Sequence, residues 1–117
     1  MATPVYGLHV IDLRPSVDEA SFKRFALEQF LPALRSLEAP GVEFHLLEAD
    51  RGARKGELIF MMKFDGPESR DRYFPSPGRP SAELAAIIQP LKHLSEIWER
   101  LSARAKTDYV QLDDCFG

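Results

Sequence analysis

Apolar side chains recur along this chain with two different periods, and the alternation of those periods predicts the order of strands and helices. Runs rich in β-branched and large apolar residues mark strands at residues 5–13, 42–50, 57–65 and 107–112. Between the first and second strands, and again between the third and fourth, apolar residues recur every three or four positions, as in an amphipathic helix. The pattern therefore predicts the order β-α-β-β-α-β.

Capping residues and prolines set the predicted limits of the two long helices. Ser16 precedes the first apolar stripe and is followed by Glu19 at the third position, which predicts a capping box. Pro32 lies inside that stripe and predicts a kink, because proline has no N–H to donate to the preceding turn. Ser81 is predicted to cap the second long helix, and Pro90 is predicted to bend or break it.

This order of elements is that of a ferredoxin-like α+β domain, in which two strand–helix–strand units form a four-stranded antiparallel sheet. Right-handed crossovers place the strands at 5–13 and 57–65 in the centre of the sheet and the other two at its edges. Both long helices then cover the same face. We expect one domain over residues 1–117, with 113–117 as a flexible tail.

Apolar residues occupy both faces of the predicted central strands, and two helices can cover only one face. The even-numbered residues 58–64 of the third strand are all apolar, and so are Ile59 and Met61 on the opposite face. A strand with one face in water should alternate between apolar and polar residues. We therefore expect the second face to pack against the same face of another copy, in an isologous homodimer. The alternative is that the C-terminal tail or the proline-rich segment 75–80 covers it.

Composition and charge exclude several classes of partner. The 117 residues carry a net charge of −3, which gives no general attraction to nucleic acid or to an anionic membrane surface. No apolar stretch approaches the ~20 residues of a membrane-spanning helix, and no export signal is visible. The single cysteine, Cys115, cannot form an internal disulfide, as is typical of proteins in a reducing compartment. We therefore predict a cytoplasmic protein without nucleic-acid or membrane partners.

Three stretches of the sequence resemble a known structural superfamily. They are GVEFHLLEADRGARKGELIFMMKFD at 41–65, SRDRYFPSPG at 69–78 and TDYVQLD at 107–113, and they look like small, functionally uncharacterised bacterial members of the dimeric α/β-barrel superfamily. The resemblance implies that two ferredoxin-like sheets pair into one barrel with the helices outside. Members of the superfamily include cofactor-independent monooxygenases, isomerases, dehydratases, haem-degrading enzymes and ligand-binding or stress-responsive proteins. The fold therefore indicates no single reaction.

His9 is the candidate catalytic residue, because it interrupts an otherwise apolar face of the first predicted strand. A histidine there is able to act as a general acid or base near neutral pH, or as an axial haem ligand. The structural alternative is a histidine that forms a hydrogen bond within the core or at its edge. Gly7, on the same face, leaves room for a ligand or for a helix side chain. No close metal-ligand spacing joins His9 to His45 or His93, so neither a metal nor another cofactor is predicted.

Further candidate ligand-binding residues lie on other elements. Met61 belongs to a polarizable patch suited to an aromatic or lipid-like ligand, although methionine more often fills gaps in a core. Trp98, on the second long helix, is either a core anchor or a stacking platform. Tyr73 ends a short helix before the proline-rich segment, which is either a lid or a rigid spacer. In the hairpin loop, Arg51 and Arg54 either hold a carboxylate or phosphate or belong to a solvated turn.

These residues support three hypotheses about function. The first is a protein that binds a small aromatic or apolar molecule between sheet and helices. If it is a cofactor-independent enzyme of the monooxygenase, isomerase or dehydratase type, His9 moves a proton while Tyr73 or a loop arginine orients an oxygen of the ligand. The second hypothesis is a non-catalytic dimerisation or stress-sensing module, and the third is a haem-binding protein.

Overall fold

Antiparallel strand pairing organises the fold. The structure is a computed structural model, and it describes residues 3–76, 79–103 and 108–111. The strands in these residues are β1 (Val5–Val10), β2 (Asp12–Leu13), β3 (Val42–Glu48), β4 (Leu58–Phe64), β5 (Ser102–Ala103) and β6 (Asp108–Gln111). The order in the main sheet is β3-β4-β1-β6, and β2 and β5 form a separate short pair.

Three helical segments lie between the strands in the described part of the chain. The first consists of α1 (Glu19–Phe25), a π-helical turn (Ala26–Phe30) and α2 (Leu31–Arg35). The second is α3 (Pro67–Tyr73), and the third consists of α4 (Ala82–Ile88), a 3₁₀ turn (Gln89–Leu91) and α5 (Lys92–Leu101). The mixed α+β class predicted from the sequence is confirmed, as is the short helix that ends at Tyr73. No helix among the described residues combines the length and apolar character needed to cross a bilayer.

The two helix-internal prolines change the local helix type. Pro32 follows the π turn, and the N–H of Leu31 bonds to the carbonyl of Ala26, five residues earlier. The wider turn accommodates a residue that has no N–H to give to the preceding turn. Pro90 lies in the 3₁₀ turn that separates α4 from α5. The predicted break at Pro90 is therefore confirmed, whereas at Pro32 the structure shows a change of helix type and the predicted kink stays a prediction.

One predicted helix cap is confirmed and the other is wrong. The Ser81 hydroxyl accepts a 3.1 Å hydrogen bond from the N–H of Leu84, as predicted. The first helix is capped by Asp18, whose Oδ2 accepts a 3.0 Å bond from the N–H of Ser21. Ser16 has a φ of +72°, whereas an N-cap residue needs an extended backbone. Ser16 therefore cannot form the capping box that its spacing indicated.

The first predicted strand, at residues 5–13, is interrupted at Ile11. The N–H of Ile11 bonds to the carbonyl of Leu58 at 2.9 Å, and β2 then leaves the main sheet to pair with β5. The Ile11 side chain is buried against Phe22, beneath the first helical segment.

The last predicted strand, at 107–112, corresponds to β6 in its central part. Its two end residues and the predicted tail at 113–117 lie outside the described residues.

The strand register assigns each residue to one of two faces. We call the covered side the helix face, and its residues in the three long strands are Val5, Gly7, His9, Val42, Phe44, Leu46, Glu48, Leu58, Phe60, Met62 and Phe64. We call the opposite side the outer face, and its residues in those strands are Tyr6, Leu8, Val10, Glu43, His45, Leu47, Ile59, Met61 and Lys63. Apolar residues therefore occupy both faces, as predicted.

Only the helix face contributes to the hydrophobic core. Its residues pack with the helical segments in two clusters, one around Phe64 and Tyr73 and one around Phe22 and Ile11. No outer-face residue of the three long strands belongs to either cluster. The most exposed of the apolar residues on this face is Leu47, at 40%. The described residues therefore leave an apolar sheet surface without a covering layer.

Candidate ligand-binding cavity

A partly enclosed cavity of about 160 Å³ lies between the helix face and the helical segments. Its walls come from β3, β4, the π turn and helices α2 to α5. The lining residues are Phe30, Leu34, Val42, Phe44, Phe60, Met62, Phe64, Tyr73, Phe74, Leu84, Ile88 and Ser95. The cavity therefore lies where a sheet–helix layer would hold a small ligand.

Only Tyr73 and Ser95 bring a side-chain oxygen to this lining. The hydroxyl of Tyr73 donates a 2.6 Å hydrogen bond to the carbonyl of Pro40, so its proton is already engaged. The hydroxyl of Ser95 forms no hydrogen bond with any residue that the structure describes. The cavity is thus an apolar space with one unpaired hydroxyl at its wall.

Aromatic rings give the cavity a rigid wall. The Phe60 ring lies 6.1 Å from that of Phe44 and 6.3 Å from that of Phe30, measured between centroids. Phe30 stacks on Trp98 at 4.6 Å, and Trp98 also contacts Phe60 edge-on at 5.5 Å. Aromatic pairs in such arrangements stabilise the structure beyond the area that they bury. Because these rings pack against one another, they form a continuous wall where the π turn meets β3 and β4.

Tyr73 is the one candidate residue that the structure places in the cavity lining. Its side chain is fully buried at the end of α3, and the guanidinium of Arg72 lies 5.3 Å from the centre of its ring. Phe74 follows it into the lining. Within the proline-rich segment, Ser76 forms an isolated bridge with Arg79. Residues 77 and 78, which complete the predicted lid or spacer, lie outside the described part of the chain.

His9 and Gly7 lie on the helix face but outside the cavity lining. His9 pairs with Phe60 across the strands, and Gly7 pairs with Met62. Both partners line the cavity, so the two candidates flank it. Partial burial lowers the pKa of His9, because it removes water from the charged form. This shift favours a neutral imidazole at physiological pH.

Met61 and Trp98 are each separated from the cavity by another layer of the structure. Met61 lies on the outer face, because it pairs with His45 and Leu8 on the side opposite Met62. Trp98 lies behind Phe30 and packs against Phe22 at 5.2 Å, which makes it a core anchor.

Arg51 and Arg54 lie in the hairpin loop between β3 and β4, away from the strand ends that line the cavity. The cavity is bordered by Val42 and Phe64, at the opposite end of both strands. Arg54 forms a 3.0 Å ion pair with Glu57 at the base of the loop, and both arginines are exposed. The structure therefore does not bring these arginines together with Tyr73.

No shared metal site joins the candidate histidines. His9 lies on the helix face and His45 on the outer face. Across residues 3–76, 79–103 and 108–111, no three His, Cys, Asp or Glu side chains lie close enough together to hold a metal ion.

A second, more open cavity of about 290 Å³ borders the edge strand β3. One of its lining residues is Arg35, whose Nε and Nη2 both donate to the carbonyl of Phe44, at 3.2 and 3.1 Å. The guanidinium therefore covers an edge carbonyl that would otherwise be open to pairing with another strand.

Sequence reasoning missed most of the residues that line the cavity. Leu84 and Ile88 belong to the apolar stripe of the second predicted helix, a pattern that indicates core packing and no cavity, and Ser95 was not singled out. The available signal was a small polar residue inside the stripe of the second helix, between Leu94 and Trp98.

Comparisons with models of known protein families, with curated protein sequences and with solved structures found no match to this chain.

Proposed function

We propose that this chain binds a small apolar molecule, about the size of one aromatic ring, in the cavity between the helix face and the helical segments. The observation that carries the proposal is the lining: ten of its twelve residues have neither oxygen nor nitrogen in the side chain. Ligand sites typically combine apolar walls with few polar groups. This cavity has that composition.

The volume limits the size of the ligand. An apolar protein cavity of about 150 Å³ stays dry and takes up benzene or xenon. The 160 Å³ cavity is similar in size and is likewise lined by Leu, Ile and Phe side chains. A single-ring compound therefore matches this volume without movement of the walls.

The geometry favours binding over a proton-transfer reaction. A general base must lie within about 3 Å of the proton that it removes, or reach it through one water molecule. His9 is not a lining residue, and the hydroxyl of Tyr73 already donates to Pro40. The enzymatic hypothesis and the haem hypothesis for His9 stay predictions.

A titration with toluene, followed by amide NMR shifts, tests the proposed function. We expect saturable shifts at cavity residues, including Leu84 and Ile88. The variant Ile88→Phe places a ring at the lining and should abolish these shifts. The matched control is Ile87→Phe, which makes the same change one residue earlier in α4, at a position outside the lining. Absence of saturable shifts in the wild-type protein, or equal loss in both variants, would contradict the proposal.

We also propose that the chain is a ferredoxin-like domain that pairs through its outer face into a dimeric α/β barrel. The outer face of these three strands spans roughly 300 Å². Six of its nine residues are apolar or aromatic, and exposed apolar surface of this kind often marks an interface. On this face Lys63 Nζ lies 3.9 Å from Glu43 Oε2, so the two charges offset each other where copies of the same face would meet. These features favour a second copy as the occupant of the face.

Two exposed leucines provide a matched test of the dimer. Leu47 lies on the outer face at 40% exposure, and Leu27 lies in the π turn at 54%. A charge at either position should disturb a single chain little, because both leucines belong to the exposed surface. Leu47→Asp should convert a dimer to a 13.2 kDa monomer in light scattering, whereas Leu27→Asp should leave the dimer intact. A monomeric wild-type protein at micromolar concentration would contradict the proposal.

A further inference from the structure

The hydroxyl of Ser95, inside α5, differs from those of two serines that follow helices. Ser36, after α2, donates to the carbonyl of Ala33 at 2.6 Å, and Ser102, after α5, donates to that of Trp98 at 2.9 Å. Ser95 lies in the middle of α5 and is half-buried, and its hydroxyl bonds to no residue that the structure describes. No buried side-chain oxygen or nitrogen among the described residues lacks a hydrogen-bond partner, so this unpaired hydroxyl keeps contact with solvent. Its position in the cavity lining makes it available to a ligand.

We infer that Ser95 selects, among single-ring ligands, those with one uncharged hydroxyl group. This inference rests on the proposed function, because it concerns the ligand of the same cavity. A serine hydroxyl is able to donate one hydrogen bond and to accept others. The hydroxyl group of a phenol or a ring alcohol provides both the acceptor and the donor that match it. A ring without a polar group leaves the hydroxyl of Ser95 unpaired.

The same lining argues against charged ligands. None of the twelve lining residues carries a formal charge, so a ligand carboxylate or ammonium group would lose water without gaining an ionic partner. That loss is much larger than the one for a hydroxyl group. The predicted ligand class is therefore an uncharged, monohydroxylated ring, and benzoate is predicted to be rejected.

Phenol and toluene form a matched pair of probes, because both have seven non-hydrogen atoms and one ring. We would titrate each into the wild-type protein and into Ser95→Ala, and measure Kd from amide NMR shifts. The variant should fold, because alanine favours a helix more than serine does. Ser36→Ala, which removes an exposed serine hydroxyl outside the cavity, is the control for the substitution itself.

We expect Ser95→Ala to weaken phenol binding about fivefold and to change toluene binding by less than about twofold. We also expect Ser36→Ala to change neither, and benzoate to cause no shifts at the cavity. If toluene binds and Ser95→Ala weakens both ligands equally or neither, the role of Ser95 is contradicted while the cavity function stands. Benzoate binding at the cavity would also contradict the inferred class. If neither phenol nor toluene binds the wild-type protein, the proposed function fails, and the role of Ser95 fails with it.

Discussion

The hydroxyl of Tyr73 donates a 2.6 Å hydrogen bond to the backbone carbonyl of Pro40, 33 residues away in the sequence. Tyr73 ends α3 and is fully buried, and Pro40 lies two residues before β3. The bond therefore joins two elements that both line the cavity. It also leaves the ring of Tyr73 as the part of the side chain that faces the cavity contents.

Tyr73→Phe should lower the free energy of unfolding by about 1 kcal/mol, because it removes this hydrogen bond and keeps the ring. Urea denaturation measures the effect. The control is Tyr6→Phe on the outer face, where the hydroxyl forms no hydrogen bond with a described residue. Equal losses in the two variants would show that the bond to Pro40 does not stabilise the fold.

His9 should make stability depend on pH below its ordinary pKa of 6.5. Burial lowers the pKa of His9 in the folded state, so the unfolded state binds more protons in the window just below 6.5. The free energy of unfolding should therefore fall as the pH falls through that window. Denaturation of His9→Gln at several pH values should give a flatter profile than that of the wild type. The exposed His93 is the control, and a His93→Gln profile as flat as that of His9→Gln would contradict the assignment.

Trp98 should report on the occupancy of the cavity. It is the chain's single tryptophan, and it stacks at 4.6 Å on Phe30, which lines the cavity. A ligand that contacts the other side of Phe30 should change the tryptophan emission, measured with excitation at the red edge of its absorption. Toluene should change the emission of the wild-type protein and not that of Ile88→Phe. A toluene response that persists in this variant would place the ligand elsewhere.

Serine-to-alanine substitutions should distinguish the true helix cap from the apparent one. Ser81→Ala should lower the free energy of unfolding by about 1 kcal/mol, because it removes the acceptor for the N–H of Leu84. Ser16→Ala should change it by less than about 0.5 kcal/mol, because Ser16 caps no helix in the structure. A loss at Ser16 as large as that at Ser81 would restore the capping box that the sequence predicted.

The elements and the two-faced sheet were predictable because they depend on local pattern. Alternation along β4 identified Phe60 and Met62 on one face and Ile59 and Met61 on the other, and the register confirms this division. Prolines were also informative, because the missing N–H disturbs a helix wherever it occurs. A kink was predicted at Pro32, but the π turn before it was not.

Features that depend on contacts distant in sequence were not predictable. The interruption at Ile11 requires the pairing of β2 with β5, about 90 residues later in the chain. Ser16 has the right spacing for a capping box, but its positive φ excludes the extended backbone that a cap requires. No local pattern encodes either feature.

The cavity was unpredictable for the same reason. It lies where strands and helices fail to fill the space between them, so its position depends on packing among segments far apart in the sequence. Tyr73 was identified because it is a large polar residue beside a conspicuous loop. Ser95 was missed because its one local signal, a small polar residue inside an apolar helix stripe, does not by itself specify ligand binding.

A crystal of the protein pressurised with xenon tests the central claim most directly, because xenon occupies apolar cavities of this size without needing a specific functional group. We predict one well-occupied xenon site in contact with Phe44, Leu84 and Ile88. A cavity that contains no xenon, either because side chains fill it or because ordered water occupies it, would contradict the account.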